Sequence, residues 1–134
     1  MNVSMVKTFE DIVKTTSYIC NQGYSVSNQI IHRIDINVIA HFGNCVCLEI
    51  FGEGIRIYRG YNNTANIGFI LRELVEFFGI SKEDGLKISE IHNVPCRIII
   101  DPYERCVGFG HFLQDKFIMN EDLNTIGRSV VSNE

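Results

Sequence analysis

Residues 45–59 read CVCLEIFGEGIRIYR, and the reading of this stretch decides the fold. Val46, Leu48 and Ile50 alternate with Cys45, Cys47 and Glu49, the period of two that marks a strand with one buried face. Gly52-Glu53 follows as a two-residue loop with glycine first, which fits a type II′ turn whose twist suits a hairpin. Closing the chain on that loop sets Phe51 against Gly54, Ile50 against Ile55, Leu48 against Ile57 and Glu49 against Arg56. Apolar pairs then share one face and opposite charges the other, which favours this register.

Upstream the same period continues. Ile34, Ile36, Val38 and Ala40 alternate with Arg33, Asp35, Asn37 and Ile39, and a Gly-Asn turn signal falls within residues 41–44. The stretch predicts a three-stranded antiparallel meander. Further upstream, Thr8 and Asp11 have the spacing of a capping box. Ile12, Thr16, Ile19 and Cys20 share a helical face and Gly23 is a C-terminal stop, so one helix is expected.

Downstream, Asn62-Asn63-Thr64 is a cluster of capping residues. After it Ile67, Ile70, Leu71, Leu74 and Phe78 form a stripe at helical spacing, ended by Gly79. Residues 81–95 read as a connection with one helical turn near residues 89–92. Residues 96–100 and 106–112 flank a turn at 101–105. That hairpin sets Asp101 against Cys106, Ile100 against Val107, Ile98 against Phe109 and Cys96 against His111. The fold class is α+β: an antiparallel sheet, made of a three-stranded meander plus a hairpin, packed by two helices. Residues 1–118 read as one compact domain and 119–134 as a polar, flexible C-terminal tail.

Composition narrows the function. The chain has 134 residues, 46% hydrophobic and 21% charged, with a net charge of −4. That is the length of one folding unit, about 100–150 residues, and excludes separate cofactor and substrate domains. No apolar run reaches the roughly 20 residues a membrane helix needs, and the N-terminus lacks a secretory h-region. The expectation is a cytoplasmic protein. Twelve scattered basic residues against sixteen acidic ones argue against general nucleic-acid binding. Five cysteines, an odd number, read as reduced thiols packed as small hydrophobes.

Three constellations could carry chemistry. His41, Cys45 and Cys47 supply zinc-type ligands if His41 faces Cys45, but no fourth ligand presents itself, and no metal or other cofactor is predicted. Cys96 opposite His111 could form a thiolate–imidazole dyad, but on an apolar face and with no group to orient the imidazole. Gly108 and Gly110, two glycines inside one strand, signal a close approach of some neighbour to the backbone. With His111 and Arg97 they form the candidate ligand-binding set, for a nucleotide held by arginine. Gly52-Glu53-Gly54 lacks the third glycine of a nucleotide loop, since position 57 is Ile57. Tyr58, Tyr61 and Tyr103 fall near turns or on outward phases beside Arg56, Arg59 and Arg105. Tyrosine and arginine are enriched at binding hot spots, which makes these six the candidate partner-binding residues.

The stretch NIGFILRELVEFFGI, with EDGLKISEIHNVPCRIIID and VGFGHFLQDKFI after it, resembles a pattern in uncharacterised small phage and prophage accessory proteins. Its parts are an Ile67-Gly68-led helix, a segment from Ile88 to Ile91, Pro95-Cys96-Arg97, and Gly110-His111 followed by Asp115-Lys116-Phe117. The resemblance covers a little under half the chain and implies a mobile-element origin rather than an activity. Such proteins are similar in size and character to anti-defence and host-takeover factors, including anti-CRISPR proteins. The expected function is a non-enzymatic protein that binds and inhibits a host protein complex. The alternatives are an oligomer that sequesters a nucleotide signal and a small thiol- or metal-dependent enzyme.

Overall fold

The computed structural model describes residues 8–39 and 45–128. Its centre is one six-stranded antiparallel sheet with four helices, an α+β fold. The strands are β1 (Ser25–Val38), β2 (Cys45–Gly52), β3 (Arg56–Asn63), β4 (Val94–Ile100), β5 (Cys106–His111) and β6 (Phe117–Met119). They lie in the order β3-β2-β1-β4-β5-β6. The predicted meander and hairpin are thus halves of a single sheet. The join is β1, fourteen residues long, whose first half pairs with β4 (Val26 opposite Ile99) and second half with β2 (Ile36 opposite Leu48).

The hairpin β4–β5 keeps the predicted pairs Cys96–His111 and Ile98–Phe109. A bulge then sets Ile100 against Cys106 instead of Val107. The β2–β3 register differs from the expectation: Glu49 faces Arg59, Ile50 faces Tyr58 and Phe51 faces Arg56. The two-residue turn is displaced by one position to Glu53-Gly54, with the Gly52 N–H donating to the Ile55 carbonyl at 2.7 Å and Gly54 at φ +71°. A bulge follows, which turns Ile57 and Tyr58 inward together, each 1% exposed. Arg56 still reaches Glu49 diagonally, Nη1 to Oε2 at 3.3 Å.

Helix α1 (Phe9–Ile12) opens as predicted, the Asp11 carboxylate accepting the Thr8 N–H at 3.0 Å. It does not continue. Lys14 leaves the helix to exchange backbone hydrogen bonds with Phe117 at 2.8 and 2.9 Å, and the Thr15 hydroxyl caps a separate α2 (Thr16–Asn21). That bridge also covers the β6 edge of the sheet, where unpaired strand backbone invites aggregation. Helix α3 (Ile67–Phe78) has the predicted bounds and ends on Gly79 in the left-handed region, φ +68°. Its N-cap position is Asn66, while Asn62 and Asn63 belong to β3. Ile70, Leu74, Phe77 and Phe78 pack on the sheet, with Phe78 stacked on Phe109 at 5.8 Å between centroids.

Where the sequence predicts a polar tail from residue 119, the structure has the end of β6 and a helix, α4 (Asn120–Arg128). Leu123 and Ile126 enter the main core, 0% and 1% exposed. Two helix turns were too few for their period to stand out among polar neighbours. Helix α4 lies on β3: the Tyr58 hydroxyl donates to Asn124 Oδ1 at 2.5 Å, and Arg128 Nε donates to the Tyr61 carbonyl at 3.3 Å. The Ile57 carbonyl accepts from Asn120 Nδ2 at 3.0 Å and from the Cys106 thiol at 3.4 Å, which ties β3 to β5 and curls the sheet. Gly60 and Gly127 make this approach feasible, since a Cβ on either would collide with Tyr58, Asn124 or Asn62 side chains.

Two cores result. The larger lies inside the curl under α1, α3 and α4. The smaller is Ile19 of α2 over Ile99, Phe117 and Met119 on the outer face of the β4–β6 end. Helix α2 covers only that end.

Candidate functional site

The uncovered part of the outer face belongs to β1, β2 and β3. Strand register arranges it in rows: Arg33–Phe51–Arg56, then Asp35–Glu49–Arg59, then Asn37–Cys47–Tyr61. Each row is a set of direct cross-strand neighbours, so the side chains brace one another. The Arg33 guanidinium lies 4.1 Å from the Phe51 ring centroid and its Nε donates to Asp35 at 3.1 Å. Arg56 pairs with Glu49, and Arg59 Nη2 donates to the Tyr61 hydroxyl at 3.2 Å. Cys47 fills the floor at 3% exposed. Three guanidiniums stand against two carboxylates, and each carboxylate pairs with a different arginine, Arg33 or Arg56. Arg59 makes no ion pair among the described residues, so this face carries a positive excess on a chain of net charge −4.

Of the six predicted partner-binding residues, Arg56, Arg59 and Tyr61 meet here. Tyr58 is a correction: the bulge at Ile57 turns it into the core, where burial pushes its phenol up in pKa. Tyr103 and Arg105 sit apart on the β4–β5 turn. There the Arg105 guanidinium stands 5.2 Å from the Tyr103 ring centroid and pairs with Asp101 at 2.9 Å. Burial alone would push the Asp101 carboxyl up, but bonds from the Arg105 and Tyr103 N–H groups and the guanidinium outweigh it and hold it below the usual range. Sequence reasoning missed Arg33 and Phe51. The outward phase of Arg33 was visible, but its neighbour was set by the β1–β2 register.

The ligand-binding set is placed differently from the expectation. The close approach signalled by Gly108 and Gly110 is that of β6: a Cβ on Gly108 would lie 2.5 Å from the Ile118 carbonyl oxygen, and one on Gly110 would enter the Phe117 ring. Arg97 Nε and Nη2 donate to the carbonyls of His111 (2.8 Å) and Gln114 (2.6 Å), so these donors serve the β5–β6 turn. His111 Nδ1 accepts from the N–H groups of Leu113 (3.1 Å) and Gln114 (3.0 Å). Burial first, then Lys116 and Arg97, push its pKa below the ordinary value.

Cys96 and His111 are cross-strand partners as predicted, but the thiol is 0% exposed and burial pushes its pKa up to about 12. Such a thiol carries almost no thiolate at neutral pH. His41 and its loop lie outside the described residues. Beside that loop, the Ile39 N–H donates to the Cys45 carbonyl at 3.0 Å. Among the described residues no three His, Cys, Asp or Glu side chains gather as a metal-ligand set, and no helix is long and apolar enough to cross a membrane. Comparisons with protein-family models, curated proteins and solved structures return no match.

Proposed function

We propose that the chain is a non-enzymatic binding protein that docks through the outer face of β1–β3 on a negatively charged surface of a larger protein, inhibiting a host complex in the manner of phage anti-defence factors. The observation that carries this reading is the row arrangement of Arg33, Phe51, Arg56, Arg59 and Tyr61 on a face that no helix among the described residues covers. Aromatic and arginine side chains already braced against one another lose little rotamer freedom on binding, which is the usual character of a hot spot. The inhibitory role rests on the resemblance to phage accessory proteins; the docking role rests on the face.

A photo-cross-linking amino acid at position 61, introduced into cells that carry the gene, tests the docking. The expected product is a discrete covalent adduct with a larger protein, absent when the same group is placed at exposed Glu83 and lost in an R56E/R59E background. Equal adducts from both positions, or none from position 61, would overturn the reading.

A further inference from the structure

We infer that the hollow between helix α3 and the 81–91 connection is a binding site for a small aliphatic carboxylate, its alkyl chain in the hollow and its anionic end at Arg72.

Two apolar walls build this hollow. Leu71 and Val75 sit one turn apart on α3, on a flank of the face that packs on the sheet, and both are only half-buried. The connection supplies Leu86, Ile88 and Ile91 as the opposite wall. Its path is fixed by polar contacts of its own. The Gly85 N–H donates to the Lys82 carbonyl at 3.0 Å, with Gly85 at φ +89°. The Glu90 carboxylate accepts from the Lys87 N–H at 2.8 Å and from Lys82 Nζ at 3.2 Å, so one side chain ties both ends of the loop. Between loop and helix stands a hollow of about 280 Å³. That is close to the lower end, roughly 300 Å³, of ordinary small-ligand sites.

Charge sets the class of ligand. No carboxylate lines this hollow, whereas Arg72 and Lys82 stand at its rim. The acidic residues of α3, Glu73 and Glu76, line a different hollow with Phe9 and Lys116. Lys82 is already matched by Glu90. Arg72 makes no ion pair among the described residues, and its guanidinium stands 5.7 Å from the ring centroid of Phe69, one turn back on α3. A guanidinium set beside a ring keeps its fork of N–H donors for a planar carboxylate. Water in an aliphatic hollow finds few partners, so an alkyl chain that displaces it gains affinity. The carboxylate meets Arg72 at the rim and stays in contact with solvent, which spares it the cost of burial. An amine on the same alkyl chain gains only the apolar part and meets Arg72 as a like charge.

Octanoate titrated into the full chain, followed through the methyl signals of isotope-labelled protein, tests the site. The expected result is saturable shifts at Leu71, Val75, Leu86, Ile88 and Ile91, with octylamine binding at least about tenfold more weakly. Arg72 is exposed, and R72E is expected to weaken octanoate at least about tenfold. R59E makes the same change of charge on the β1–β3 face and leaves octanoate binding unchanged. Equal affinity for octylamine, equal affinity in R72E, shifts centred elsewhere or a titration without saturation overturns the inference. The octanoate–octylamine comparison needs no variant, so it decides the matter even if R72E is unstable. Retention of the wild-type chain on phosphatidylglycerol vesicles, lost in R72E, would assign the hollow to a membrane-held acyl chain and overturn the free-acid reading. The cross-link from position 61 is independent of every one of these results.

Discussion

Gly108 shows how a single missing atom sets the fold. The Ile118 carbonyl oxygen and the Ile99 side chain occupy the space a Cβ would need, at 2.5 and 2.7 Å, and a backbone oxygen in a paired strand has little room to move. Gly108→Ala is expected to lower stability by about 1–3 kcal/mol, the usual range for overpacking. Urea unfolding measures it; an unchanged midpoint would show that β6 does not press on β5 as described. Cys96 teaches the converse. Its residue type suggests chemistry, but position overrides type, since a thiol sealed from water at 0% exposure is packing.

At the scale of elements, the β5–β6 turn depends on a neutral imidazole. His111 Nδ1 accepts two backbone N–H groups, which a protonated ring cannot do. The fold lowers the histidine's pKa, so its contribution to stability is complete above the unfolded value near 6.5 and is lost as pH falls through the lower folded value. Arg97 and Lys116 face the ring and reinforce that sign. The difference in melting temperature between wild type and His111→Ala is expected to shrink as pH falls from about 7 to about 5. A difference that grows instead would mean that the imidazole is held as a cation. Helix α3 was legible in the sequence because its stripe and its glycine stop are both local signals. The β4–β5 pairing was legible away from the turn, where the apolar alternation matches Ile98 to Phe109, while the bulge beside the turn was not. The β2–β3 register was not, because a bulge at Ile57 costs the pattern nothing: both Ile57 and Tyr58 suit the core. That one bulge also decided the site, removing Tyr58 from the surface and setting Arg59 beside Glu49. The break between α1 and α2 was hidden for another reason, being dictated by a pairing with Phe117 from the far end of the chain.

At the scale of the molecule, the sheet is curled on itself rather than merely covered. Helix α4 and the β5 start converge on the Ile57 carbonyl, so the last described element seals the edge at β3. A chain ending at Ile118 is therefore expected to lose cooperative unfolding and to bind an apolar dye. Leu123 and Ile126 contribute about 1.5–3 kcal/mol each by burial, a large share of the 5–15 kcal/mol that holds a typical domain. A sharp melt at the wild-type temperature would show α4 to be dispensable.

The long strand β1 has one more consequence, and it concerns time. Its second half finds β2 a few residues away, but its first half can pair only with residues 94–100. A chain emerging from the ribosome completes the meander early and then waits, with residues 25–31 lacking their strand partner until β4 has been made. Pairings this distant in sequence are the slow ones, and strand backbone left unpaired in the meantime is open to the wrong neighbour. The same strand that unites the two halves of the sheet thereby sets the order in which they are born.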